Sequence, residues 1–200
     1  MKRVVIAVTG ASGQIYARKI IERLRSVGGD GSDNTSSIQI EVTGNVQTEV
    51  IFTDTAKSVY HDELGEQPPQ PLVNNNNYYN RNASGSNAAD VMIIIPCTMG
   101  TIGRIASGAT TDLISRIAEV QLKERKTLII VPRETPYSLI HLRNLTTLTE
   151  AGAIIAPASP SFYTHPANLE QLADNFVSRI LDLAGVAQLP SNYRWKTTAK

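Results

Sequence analysis

Pro132-Arg133-Glu134-Thr135-Pro136 sets an arginine and a glutamate between two prolines, directly after the apolar run Leu128 to Val131. Proline stiffens the backbone around it, so the pair is held in a narrow range of positions. Such a pair suits a site that must hold an anion and move a proton. Two other segments have the same form, an apolar run that ends in small polar residues. Val4 to Val8 runs into Thr9-Gly10-Ala11-Ser12-Gly13, with a helix expected from near Gln14. In that arrangement glycines let the backbone approach a phosphate at a helix amino end. Val91 to Pro96 runs into Cys97-Thr98-Met99-Gly100-Thr101, which offers hydroxyls and amides where open α/β sheets bind ligands. The lone Cys97 reads as buried packing. Lys123 is kept as a candidate, whereas Glu124, Arg125 and Lys126 read as a solvated helix end that complements the dipole.

Other chemistries fit these residues less well. A nicotinamide fingerprint needs a third glycine where Tyr16 stands, and its acidic ribose ligand would fall in a loop near Asp30. A nucleotide-triphosphate loop ends in Gly-Lys-Ser/Thr, but Gly13 is followed by Gln14-Ile15. Ser138 and His141 lie three apart on one expected helix with no acidic partner near, so both read as structural. A plain strand-to-helix turn remains compatible with the glycines taken alone.

The elements that must position these groups are read from apolar periodicity. Short apolar runs alternate with segments of helical period, the pattern of a parallel sheet covered on both faces. Strands are expected at Val4 to Val8, Val50 to Thr53, Val91 to Pro96, Leu128 to Val131 and Ile154 to Ala156. Core helix stripes are expected from Ile20, Leu24 and Val27, from Leu113, Ile117 and Val120, and from Leu169, Leu172, Phe176, Ile180 and Leu183. Gly28 to Ser37 and Gln67 to Asn82 lack the apolar content to pack and are expected as exposed, mobile loops. Ile38, Ile40 and Val42 before Gly44-Asn45 leave a small hairpin open as an alternative.

Two hundred residues fit one α/β domain. Nineteen Lys+Arg against 18 Asp+Glu give a net charge of +1, which provides no global field for nucleic acid or an anionic membrane. One cysteine excludes an internal disulfide, and no run approaches the roughly 18 apolar residues of a membrane span. The apolar start ends too early for a signal peptide, so a reducing cytoplasm is expected.

Taken together, Thr9-Gly10-Ala11-Ser12-Gly13 with Tyr16, Pro96-Cys97-Thr98-Met99, Lys123-Glu124-Arg125, Arg133-Glu134-Thr135-Pro136, His141-Leu142-Arg143 and Pro160-Ser161-Phe162-Tyr163 resemble, in order and spacing, the UbiX/Pad-type flavin prenyltransferases. The resemblance covers nearly the whole chain except the two polar loops. It implies a flavodoxin-like, three-layer Rossmann-type α/β fold, bound FMN, and a homododecamer with active sites completed across subunit contacts. By resemblance the FMN site comprises Gly10, Ala11, Ser12, Thr53, Thr98, Met99, Gly100, Thr101 and Arg133; Thr53 replaces the family's usual serine and keeps its hydroxyl. The dimethylallyl monophosphate site comprises Tyr163 and Arg179, with Lys123 and Glu134 beside it and Arg116 nearby. Glu63, ten residues after Thr53, matches the family's other acidic residue near the flavin.

The implied reaction joins the dimethylallyl group to N5 and C6 of reduced FMN, for use by a UbiD-type decarboxylase. Charge builds on the leaving phosphate, and no Asp-rich magnesium motif is present, so Lys123, Arg133 and Arg179 are expected to serve without metal. Glu134, Glu63 and Ser12 are the candidates for proton traffic. Asn87 stands where the family usually has phenylalanine after Ser-Gly-Ser, and the Asn-rich loop is longer than the family's. A cysteine decarboxylase of the same fold would carry Pro-Ala-x-x-Asn-Thr and Pro-x-Met-Asn blocks, which this chain lacks; a non-catalytic flavin-binding protein would use the cations only as surface charge.

Overall fold

The structure is a computed structural model that describes residues 1–25 and 46–186. The Gly28 to Ser37 loop, Val27 and the alternative hairpin lie outside the described residues. Five parallel strands form one sheet in the order β2-β1-β3-β4-β5: β1 Lys2–Val8, β2 Val46–Phe52, β3 Val91–Cys97, β4 Thr127–Pro132 and β5 Ile154–Ile155. Every residue of β3 is buried, as expected of a strand covered on both faces. β2 starts earlier than its apolar content suggests, and Thr53 caps the next helix instead of ending the strand.

Successive side chains of a strand point to opposite faces, and the core divides accordingly. Val4, Ile6, Val8, Ile93 and Ile95 meet Ile20 and Leu24 of α1 (Gln14–Arg25) and Phe176, Val177 and Ile180 of α6 (Leu169–Leu183). Val5, Ala7, Met92 and Ile94 meet Ile102 of α3 (Met99–Ala106), Ile117 of α4 (Leu113–Lys123) and Leu148 of α5 (Leu139–Glu150). Truncating one fully buried isoleucine here costs about 2–5 kcal/mol. The α6 stripe holds at Phe176 and Ile180, but Leu169 is exposed because the helix seats its buried face from Ala173 onward. Two α6 carboxylates dock this helix on α1: Asp174 pairs with Arg23, Nε to Oδ1 at 3.0 Å, and Glu170 with Lys19 and Arg18.

Four helices open on a side-chain cap: Thr98 for α3, Asp112 for α4, Ser138 for α5 and Asn168 for α6. Thr53 does the same for α2 (Asp54–Leu64), accepting from the Ala56 amide at 3.1 Å. Ser138 and His141 form a capping box, in line with their structural reading.

The segment 67–82 is loop and mostly exposed, and several contacts anchor it. Pro68 and Asn82 are buried. Val73 pairs in parallel with Ile51 at the sheet's outer edge, its amide donating to the Val50 carbonyl at 2.8 Å. Asn75 closes the start of α4: its carbonyl accepts from Leu113 at 2.8 Å and its Oδ1 from Ile114 at 3.1 Å. Asn74, Asn77 and Asn80 each accept an amide two residues on, so side chains do the work of a backbone ladder. Hydrogen bonds more than burial hold this run in place.

Candidate active site

β1 lies between β2 and β3, so chain connections leave it in opposite directions and open a crevice above its carboxyl end. The glycine turn fills one side of that crevice. Thr9 ties it to the next strand, its amide and Oγ1 donating to the Pro96 carbonyl and its Oγ1 accepting from the Thr98 amide at 2.8 Å. Gln14, fully buried, donates its side-chain amide to the Thr9 and Ala11 carbonyls at 3.0 and 2.7 Å. Gly13 has φ +100°, and a Cβ there would stand 3.2 Å from the Tyr16 ring, so both backbone and space call for glycine. At Gly10 a Cβ would come 2.5 Å from Thr55 Cγ2. The turn is therefore seated tightly against the first turn of α2.

The far end of α2 reaches the same turn. Glu63 accepts from the amides of Gly13 (2.9 Å) and Gln14 (2.8 Å), so a carboxylate from another helix caps the amino end of α1. Glu63 thus stands beside the crevice with both oxygens already engaged by backbone amides.

Arg133 closes the crevice from β4. Its amide donates to the Cys97 carbonyl at 3.4 Å and its Nε to the Ser12 carbonyl at 3.0 Å. Glu134 is exposed next to it and accepts from the Thr135 amide at 3.0 Å. On the β3 side, Thr98 Oγ1 accepts from the Thr101 amide at 3.2 Å and lies 3.0 Å from Thr101 Oγ1. Met99 is buried in the core on the side of α3, α4 and α5, which leaves only its backbone for a ligand, while Gly100 and Ser12 are exposed. Burial pushes the Cys97 thiol up, against the opposite pull of the Arg104 charge. A thiol held neutral in the core supports the packing reading.

The four expected substrate residues fall in two places. Thr164 bonds Asn175 of α6 at 2.8 Å, and Arg179 lies one turn beyond Asn175, so Tyr163 and Arg179 belong to one neighbourhood. Arg179 is paired with Asp182 at 2.5 Å. Lys123 ends α4 just before β4 begins, at the amino edge of the sheet. There it pairs with Glu124 against Gly85, in the turn whose Asn87 carbonyl accepts from Arg3 at 2.7 Å. Arg116, two turns earlier on the same face, donates to the Ala83 carbonyl at 3.2 Å. The strands separate these edges by roughly 20 Å. Within one chain Lys123 and Glu134 therefore stand at opposite edges of the sheet.

Thr9, Gln14, Thr55 and Arg104 belong to this region and were not singled out from sequence. For Arg104 the signal was present as spacing, since 98, 101 and 104 recur every three residues of a helix.

An open parallel sheet with a glycine turn, two hydroxyl-capped helices and an arginine at its switch point defines a Rossmann-like protein that binds a phosphate-bearing ligand. Residues 1–180 match the model of the family described as Flavoprotein. The flavin prenyltransferase UbiX of Thermoplasma acidophilum is 40% identical over 190 residues, 92% of this chain and 95% of that protein. The crystal structure of AnUbiX (PadA1) in complex with FMN and dimethylallyl pyrophosphate has a TM-score of 0.83 at 37% identity, covering 98% of this chain and 97% of that one. A dodecameric FMN-dependent UbiX-like decarboxylase from Escherichia coli O157:H7 has a TM-score of 0.82 at 30% identity, covering 97% of this chain and 98% of that one. The chain belongs to the UbiX-type flavin prenyltransferase family. Among the described residues no helix is long and apolar enough to cross a membrane.

Proposed function

We propose that this chain, acting as one flavoprotein domain, transfers the dimethylallyl group of dimethylallyl monophosphate to N5 and C6 of reduced FMN. The observation that carries the reading is the crevice itself. Gly10, Ala11, Ser12, Thr53, the 98–101 turn and Arg133 converge at one switch point, in a chain of this family. Reduced FMN supplies the electron-rich acceptor; the protein's residues hold, orient and exchange protons. Arg133 and the turn amides suit a phosphate. Tyr163, Arg179, Lys123 and Arg116 take the donor's phosphate, whose growing negative charge as the C–O bond breaks is met by cations without metal. Glu134, exposed beside Arg133, moves a proton, with Ser12 and Glu63 as further candidates.

Lys123 stands at the far edge of its own sheet and Arg116 two turns earlier on the same helix, so on this reading a second copy brings them to the crevice. Exposed Tyr137, Leu139, Ile140 and Phe162 near the carboxyl edge supply apolar surface for such contacts, in keeping with a dodecamer. The product would serve a UbiD-type decarboxylase in the cytoplasm.

The test is incubation of the protein with reduced FMN and dimethylallyl monophosphate in the presence of chelator, followed by mass spectrometry of the extracted flavin. A flavin heavier by one prenyl group, with phosphate released, is expected. Unmodified flavin would overturn the reading, and a product seen only when magnesium is restored would overturn its metal-free part.

A further inference from the structure

Three helices present their amino ends near the crevice, and they differ in charge. α1 already holds the Glu63 carboxylate and α2 carries Asp54 in its first turn. α3 has no acidic residue in its first turn. Arg104 instead reaches back along it: Nη2 donates to Thr101 Oγ1 at 3.0 Å, and Nη1 lies 3.8 Å from the position of a Cβ on Gly100. Its Nε is buried without an acceptor, and among the described residues no carboxylate pairs with it.

A guanidinium can only donate, so Thr101 Oγ1 must be the acceptor in its bond with Arg104. Thr101, only 2% exposed, accepts from Arg104 on one lone pair; the guanidinium charge opposes a second donor there, and among the described residues Thr98 Oγ1, 3.0 Å away, is the acceptor within reach of the Thr101 proton, so the bond runs from Thr101 to Thr98. Thr98 Oγ1 also accepts from the Thr101 amide at 3.2 Å, which uses both of its lone pairs. The one capacity left to Thr98 is to donate, and Thr98 is the half-exposed member of the row. We infer that Arg104 is a positioning residue that makes the Thr98 hydroxyl an obligate donor to an acceptor oxygen of the bound flavin. The assignment rests on the proposed flavin site.

The test is the dissociation constant of FMN and of riboflavin for the parent, Arg104→Met, Arg104→Lys, Thr98→Val and the double variant Arg104→Met/Thr98→Val. Arg104→Met should weaken FMN by about tenfold, the effect of losing one directed hydrogen bond with charged support, and Arg104→Lys should restore most of it. In the Thr98→Val background the same change should add less than about twofold, because the recipient is already gone. Loss with FMN alone places the acceptor oxygen on the phosphate; equal loss with riboflavin places it on the ring or ribityl chain, and either supports the assignment. Should Arg104→Met not fold, Thr101→Val breaks the row in its middle and should give the same loss. Unchanged FMN affinity in Arg104→Met, or a loss of equal size in both backgrounds, would overturn it. A parent that binds neither flavin overturns the proposed function as well, which separates the two failures.

Discussion

Arg133 and Ser12, 121 positions apart, are joined over the end of β3: the Arg133 Nε donates to the Ser12 carbonyl at 3.0 Å. The guanidinium is thereby oriented by the glycine turn and not by its neighbour Glu134, whose carboxylate bonds the Thr135 amide. A role for Glu134 as a mere anchor of Arg133 therefore has no contact to support it.

Glu134→Gln should keep FMN affinity near the parent's while turnover at saturation falls by about 10²-fold or more, the usual share of general acid–base catalysis. Flavin titration and single-turnover rates on the same preparation check this. A saturated rate within about threefold of the parent would remove Glu134 from proton transfer.

Because Lys123 and Glu134 lie at opposite edges of one sheet, their defects should complement. Lys123→Ala and Glu134→Gln chains, each inactive alone, should regain part of the activity when co-expressed and purified as mixed assemblies through two tags. Mixed assemblies as inactive as either parent variant would mean that the site is built within a single chain.

Asn75→Ala removes the acceptor for the amide of the fully buried Ile114. The loss should be about 0.5–2 kcal/mol, or roughly 2–4 °C of Tm per kcal/mol for a chain of this size. Deleting residues 74–77 should cost more, since the Leu113 amide then loses its partner too. Thermal melts that coincide with the parent's would show that the cap contributes nothing.

Bonds from Lys19 first, and from Arg18, hold the Glu170 carboxyl below its ordinary value, against the opposing effect of burial. A carboxyl lowered in the folded state stabilises above its unfolded pKa, and that contribution disappears as pH falls through the folded value. Glu170→Gln should therefore lower Tm at pH 7, with the gap from the parent closing below about pH 4, where the parent's carboxyl also loses its charge. A gap of constant size across that range would point to packing and not charge.

The sheet was legible because β3 and β4 are apolar on both faces, and near-continuous runs such as Met92 to Ile95 have few alternatives. The crevice was legible for a related reason: residues directly after such a strand must emerge at its carboxyl edge. Position across the sheet was not. Lys123 and Arg133 are close in sequence, but β4 runs between them, and strand length, not residue type, sets their separation. The anchoring of the Asn-rich run was not legible either, because asparagine supplies its own hydrogen bonds, which hydropathy does not register.

Helix α2 acts as a ruler laid along the glycine turn, with Thr55 against Gly10 at one end and Glu63 on the Gly13 and Gln14 amides at the other. Each helical residue advances about 1.5 Å and turns about 100°. One residue inserted into or removed from α2 would thus swing the Glu63 carboxylate off both amides while leaving the Thr53 cap in place. The length of this helix is as much a part of the site as the identity of any side chain in it.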